Sequence, residues 1–244
     1  MSNFLLTFKS FGENAVLIEW PKEIDETILK DVLHFKSKIE ASLGTDVKEV
    51  RSAYQSLLVV YDRAINHTKC IPRLKQIYGE NFGSKLTMCS KLWRIPVCYE
   101  DCFGIDLERI AKLNNLSKEA IIHLHAKPVY TVFFLGFLPG FLYLGGLDAK
   151  LHTPRNAQPR LHVEKGAVAI GGKQTGVYPN KSPGGWNIIG NTPITFFSPK
   201  SKAPCFASAG DRIQFYPVLF EEYSKIKELV ETDAFSLENE VWNG

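Results

Sequence analysis

Two arginines each follow a proline in the segment Pro154-Arg-Asn-Ala-Gln-Pro-Arg160. A guanidinium is a planar fork that matches a carboxylate or a phosphate. Arg155 and Arg160 would face opposite sides of a regular strand, so only a loop imposed by the prolines lets both converge on one anion. Two structural or surface arginines leave the same pattern, and the residues alone do not separate the readings. Downstream, Gln174 and Thr175 follow Gly171-Gly172. A carboxamide beside a hydroxyl suits an amide-like ligand, and equally suits a polar turn. Tyr178 and Trp186 are either pocket walls or core aromatics. Ser182-Pro-Gly-Gly185 is a turn signal whose glycines can also present backbone N–H groups to an anion. Tyr143 follows the Gly136-Phe-Leu-Pro-Gly-Phe141 turn and can reach a ligand from it.

Other chemistries are excluded by spacing. Gly171-Gly172-Lys173 would need Gly at 167 and Ser or Thr at 174 to be a phosphate-binding P-loop; Ala167 and Gln174 stand there. Pro179 and Pro183 also forbid the helix that must follow. His123 and His125 are two apart, whereas neighbours on one helical face are three or four apart, so no metal pair is expected. His125 reads as a buried, satisfied histidine rather than an acid–base group. The Cys98-x3-Cys102 pair lacks a second ligand pair, so no metal site is expected there either. There is no Gly-x-Ser-x-Gly motif, and the chain shows no complete catalytic set of its own.

The elements that must position these residues follow from periodicity. The stretch from Pro154 to Pro193 is dense in Pro and Gly, with β-prone runs at 166–170, 176–178 and 186–189. Further strands are expected at 92–99, 129–137, 194–197 and 211–216, the first at a sheet edge because it contains Pro96. Short helices are expected over 106–113 and 117–125, and a longer one over 219–230. Strands so numerous and short suggest a closed or nearly closed β-barrel. Arg160, Gln174 and Ser182 are expected to share one hollow at its lip. Earlier, runs at 4–8, 15–20, 47–53 and 56–61 read as strands. Apolar residues from Ile24 through Ile39 keep a helical rhythm that Gly44 ends, and Asn66 caps a second helix to Ile77. The order ββαββα predicts helices on one face of an antiparallel sheet. The expected organisation is an α+β domain over 1–83, a linker over 84–91, and a β-barrel domain with a C-terminal helix over 92–244.

Composition bounds the partners. The 244 residues are 45% apolar and 23% charged, ordinary for a globular protein. A net charge of +3 without a Lys/Arg block gives nucleic-acid binding no electrostatic support. Pro128–Leu147 carries no charge and is long enough to span a bilayer, but Gly136, Pro139, Gly140, Gly145 and Gly146 interrupt it; a strand, turn and strand are expected instead. The five cysteines form no Cys-x-x-Cys and the start lacks a secretory pattern, so reduced thiols and a cytoplasmic location are expected.

One resemblance joins these motifs. Gly136-Phe-Leu-Pro-Gly-Phe-Leu-Tyr-Leu-Gly145, Pro154-Arg155, Pro159-Arg160, Gly166-Ala-Val-Ala-Ile170, Gln174-Thr-Gly-Val-Tyr-Pro179, Ser182-Pro-Gly-Gly-Trp186 and Thr192-Pro193 occur in an order similar to one known family. That family comprises the B component of bacterial ATP-dependent 5-oxoprolinase, the sporulation kinase inhibitor KipI and the first component of allophanate hydrolase. Gly12-Glu-Asn-Ala-Val16, Ser56-Leu57 and Tyr61-Asp62 also resemble it. The resemblance implies a ferredoxin-like first domain and a cyclophilin-like second one. It implies opening of 5-oxo-L-proline to L-glutamate with ATP used by an assembled complex, whose other members are a KipA-like protein and a lactam-utilisation-like protein. Phosphorylation of the lactam oxygen would create a leaving group before water attacks. The KipI branch would instead make a histidine kinase the partner, and the allophanate branch a urea-derived carboxylate the substrate. The positions carried over are Arg155, Arg160, Gln174, Thr175, Tyr178, Ser182 and Trp186; Arg155, Arg160 and Gln174 are expected to be catalytic, and Tyr143, Thr175, Tyr178, Ser182 and Trp186 to bind substrate. Two departures stand out: Glu164-Lys165 replaces a Pro-Ala pair, and Asn191 replaces an arginine.

Overall fold

Regular alternation in two short runs builds the first sheet: Val16 and Ile18 bury one side of their strand, as Leu57 and Val59 do of theirs. The computed structural model describes residues 4–80 and 90–242, and the chain divides into two units, Met1–Met88 and Cys89–Gly244. The first unit runs β1 (Thr7–Phe11), β2 (Ala15–Glu19), α1 (Glu26–Leu43), β3 (Glu49–Ser52), β4 (Ser56–Val60) and α2 (His67–Gly79). Its antiparallel sheet has the order β1-β2-β4-β3. Asp25 starts α1 by accepting the N–H groups of Thr27 and Ile28, satisfying donors that a helix start leaves orphaned. The helix then buries Ile28, Val32, Phe35 and Ile39 against the sheet, about 1.5–3 kcal/mol for each large side chain enclosed. Lys38 lies on the same buried face because its ammonium donates to the carbonyls of Tyr78 and Glu80 at the end of α2.

The second unit contains β5 (Ser90–Val97), α3 (Leu107–Asn114), α4 (Lys118–Ala126), β6 (Val129–Leu135), β7 (Leu142–Gly145), β8 (Arg160–Val163), β9 (Ala167–Gly171), β10 (Gln174–Val177), β11 (Ser182–Gly184), β12 (Asn187–Asn191), β13 (Arg212–Pro217), α5 (Phe220–Glu231) and β14 (Asn239–Trp242). The expected linker over 84–91 falls mostly outside the described residues, and Ser90 and Lys91 already belong to β5. Eight strands form one sheet in the order β12-β9-β10-β7-β6-β13-β5-β14, and β8 and β11 pair separately. Among the described residues no sheet closes into a barrel, which corrects the expectation from strand number. An isolated bridge, Cys98–Asn191, joins the end of β12 to the residue that follows β5, and β14 takes the outer flank of β5.

Pro96 is compatible with an interior strand because the β14 ladder covers only Ser90–Trp93; past it, the missing N–H has no partner to lose. The run 194–197 is not a strand. Ile194 and Phe196 are buried after Pro193 without a ladder. Pro128–Leu147 forms the β6–β7 hairpin.

The core of this unit encloses one histidine completely. His125, on α4, lies 4.7 Å from Phe215 in a stacked arrangement, with Nδ1 2.7 Å from Tyr99 Oη and Nε2 2.8 Å from Thr175 Oγ1. Thr175 Oγ1 in turn donates to Ala169 O at 3.2 Å. One donor order satisfies the chain: the phenol donates to Nδ1, Nε2–H donates to threonine, and threonine donates to the carbonyl. That order requires neutral imidazole, and burial lowers the pKa of His125 from 6.5 to about 3. The unfolded chain takes up a proton below pH 6.5 that the folded one refuses, so stability is full above that pH and falls as pH drops. Urea unfolding should therefore show a loss of about 2 kcal/mol between about pH 7 and pH 5 that His125→Gln removes. An equal loss in both proteins would refute the assignment.

Candidate functional site

The strands that build this core carry a different surface on their other side. Along β9, Val168 and Ile170 enter the main core, while Ala167 and Ala169 join a second cluster with Phe141, Tyr178, Trp186 and Ile188. Gly171 and Gly176 share that second side by alternation. A Cβ on Gly171 would lie 2.5 Å from three atoms of the Trp186 indole, and one on Gly176 3.2 Å from its Cζ3. The ring can therefore lie against the sheet only where side chains are absent. Phe141 meets Trp186 and Tyr178 edge-on, with centroids 5.6 and 5.7 Å away, and tilts against Tyr143 at 4.9 Å. These are favoured aromatic geometries. Phe137, at the tip of the β6–β7 turn, adopts φ 65°, and its exposed ring is edge-on to Phe141.

Between this cluster and the β8–β11 ribbon lies a cleft of about 260 Å³, walled by Phe141, Tyr143, Arg155, Tyr178, Gly184 and Trp186. The Arg155 guanidinium lies over the indole, 5.6 Å from its centroid. It is exposed and has no ion-pair partner among the described residues. Among those residues no carboxylate lines the cleft. Burial pushes the Tyr178 and Tyr143 phenols above their usual pKa, outweighing the opposite pull of Arg155, so both stay protonated donors at neutral pH. Tyr178 is packed so closely on Gly184 that a Cβ there would fall 2.4 Å from its Oη.

The other expected residues lie elsewhere. Arg160 donates through Nη2 to Asp106 Oδ1 at 2.6 Å, and its buried Nη1 has no hydrogen-bond partner among the described residues. Thr175 points into the core toward His125, because alternation along β10 carries it to the face opposite Gly176; it does not reach the cleft. Gln174 shares the side of Gly176 without lining the cleft, and Ser182 is buried beside Pro183, which does line it. The hollow therefore joins Arg155, Tyr143, Tyr178 and Trp186, rather than Arg160, Gln174 and Ser182.

Four polar residues behind the cleft were not foreseen: Asp106, Arg109, Asn156 and Asn187. Asn156 lies between the two Pro-Arg pairs and the other three belong to no motif, and their partners are far away in sequence. The two departures from the family pattern meet each other, since Asn191 Nδ2 donates to Lys165 O at 3.0 Å and Tyr223 Oη donates to Asn191 Oδ1 at 2.9 Å. Neither lines the cleft that holds Arg155.

Residues 6–207 match the model of the carboxyltransferase domain, subdomain C and D. The chain belongs to that family. It is 48% identical over 206 residues to a protein of Escherichia coli O157:H7 named as the B component of 5-oxoprolinase, covering 84% of this chain and 93% of the relative. A protein of the same name from Bacillus subtilis (strain 168) is 34% identical over 230 residues, covering 90% of this chain and 96% of that one. The crystal structure of TTHA0988 is similar with a TM-score of 0.72 and 31% identity, covering 84% of this chain. This chain spans 40% of that longer one. In this carboxyltransferase-family chain, Gly184→Ala should cost about 1–3 kcal/mol by forcing Tyr178 off its position. The loss would appear as a lower urea midpoint at unchanged m-value; an unaltered midpoint would mean that the close packing does not hold in solution.

Proposed function

We propose that this chain is the B component of an ATP-dependent 5-oxoprolinase, which opens 5-oxo-L-proline to L-glutamate together with partner proteins. One observation carries the reading: a guanidinium with no ion-pair partner among the described residues is stacked on Trp186, beside a small aromatic cleft that no carboxylate lines. Its complement is a compact planar ring bearing a carboxylate. The relatives named as 5-oxoprolinase B components support the same substrate. In this reading Arg155 grips the carboxylate and Phe141 and Trp186 flank the ring. Tyr143 and Tyr178 offer hydroxyl donors toward the lactam oxygen. Gln174 and Ser182 act at the margins, while Thr175 and Arg160 support the walls from behind.

The glycine-rich turn of this chain does not have the form of a phosphate-binding loop. Gly171-Gly172-Lys173 is the turn between β9 and β10, a strand follows it instead of a helix, and the cleft is about 260 Å³. A cleft of that size suits a compact ring rather than a nucleotide. In this reading nucleotide handling is assigned to the KipA-like and lactam-utilisation-like proteins, and the assembly to the cytoplasm. The domain reading goes with it, as an α+β unit over 1–83 and a larger unit over 92–244. Moving β1 behind α2 turns the first unit into βαββαβ with its sheet order unchanged, which supports a rearranged ferredoxin-like fold. The bridge between Cys98 and Asn191 supports a cyclophilin-like second unit whose sheet nearly meets itself.

The test is 5-oxoproline-dependent ATPase activity of the reconstituted complex. The isolated chain should show none. In the assembly, Arg155→Ala should raise KM for 5-oxoproline about tenfold or more, the worth of a charge-assisted hydrogen bond. Robust activity of the chain alone, or an unchanged KM in the variant, would remove this reading.

A further inference from the structure

Arg155 sits on a segment with no ladder of its own: residues 154–159 lie outside any strand, and most of them are exposed. Left free, such a loop would have to be ordered anew each time a ligand bound, at the cost of its conformational entropy. Yet the residues on both sides of Arg155 are tied down. Before it, Pro154 O accepts from Asn187 Nδ2 at 3.0 Å. After it, Asn156 N–H donates to Gly185 O at 2.7 Å, and Asn156 Nδ2 approaches Trp186 O at 3.4 Å. The two asparagines are joined by one group, because Arg109 Nη1 donates to both Asn156 Oδ1 and Asn187 Oδ1. Asn187 is fully buried and spends its second Nδ2 hydrogen on Ile170 O at 3.1 Å, which fastens the arrangement to β9. At the far end of the loop, Asp106 takes Arg160 at 2.6 Å and the Ile188 N–H at 2.7 Å. Arg109 belongs to the first turn of α3 and Asp106 directly precedes it, and neither lines the cleft.

We infer that Arg109 is a positioning residue for anion recognition: through Asn156 and Asn187 it holds the Arg155 loop against Trp186 from behind. This rests on the assignment of Arg155 as the group that binds the substrate carboxylate. Arginine suits the task because one Nη carries two hydrogens in a plane, one for each carboxamide oxygen. Side chains that are held before the ligand arrives improve binding chiefly by lowering the ordering cost, so the effect should fall on KM.

The experiment is a double-mutant cycle in the reconstituted multi-component enzyme, with 5-oxoproline as the varied substrate. Arg109→Met should raise KM about five- to tenfold with kcat within about twofold, and should add little once Arg155→Ala is present. A residue that merely stabilised the fold would act equally in both backgrounds. Asn156→Ala removes the same tie from the loop side and should reproduce the effect if Arg109→Met fails to assemble. If Arg155→Ala raises KM while Arg109→Met and Asn156→Ala leave it unchanged, the positioning role is wrong and the substrate assignment stands. Additive effects in the cycle would also overturn it. If Arg155→Ala itself changes nothing, the substrate assignment fails first.

Discussion

Trp186 lies against the sheet because Gly171 and Gly176 leave it room, and the surrounding surface is arranged by that contact. Glycine inside a strand costs about 1 kcal/mol against alanine, so two of them are a real expense. An indole buries about 150–250 Å², roughly 4–6 kcal/mol at about 25 cal/mol per Å² as an upper bound. The packing therefore outweighs the loss. With one face of the ring against the strands, the other remains for the Arg155 guanidinium, and Phe141 closes the edge. A charged group is thereby set beside an apolar cleft with no acidic partner among the described residues to neutralise it.

The same strands serve two environments, and the period of two is what separates them. Thr175 and Gly176 are neighbours on β10, yet one ends in a closed hydrogen-bond chain with His125 and the other beneath an aromatic wall. Polar groups are tolerated in the core because each hydrogen has an acceptor: Tyr99, His125, Thr175 and Ala169 form a chain with no loose end. Histidine, hydroxyl and phenol in a row could be mistaken for a catalytic relay. Complete burial of His125 and Thr175, and a proton affinity too low for use near neutral pH, make it a structural one.

Legibility in the sequence followed the range of each interaction. Helix α1 was readable because its rhythm and its Gly44 stop are local. The β8–β11 ribbon was not, since Ser182-Pro-Gly-Gly185 is chemically a turn and becomes a strand only by pairing with Arg160–Val163. β14 was missed for the same reason: its four residues are ordered by β5, far away in the chain. The two Pro-Arg pairs looked equivalent, and what distinguishes them is Asp106, 54 positions from Arg160. No local rule could tell which arginine was already engaged. The barrel failed on a related point, because strand number says nothing about which strand takes the last free edge.

On the proposed reading, the cleft recognises its ligand through charge and hydrogen bonding. Its polar side chains are a guanidinium, which only donates, and two protonated phenols, which can donate or accept; among the described residues no carboxylate or imidazole lines the cleft. Donors stabilise negative charge on a carboxylate or on a carbonyl oxygen. Lactam hydrolysis, the proposed reaction, needs an activated water as well as a leaving group. In that reading the ligand is presented to groups carried by a partner protein. The cleft's position suits that division: it lies on the sheet face away from the main core, covered by a two-stranded ribbon and edged by the exposed ring of Phe137.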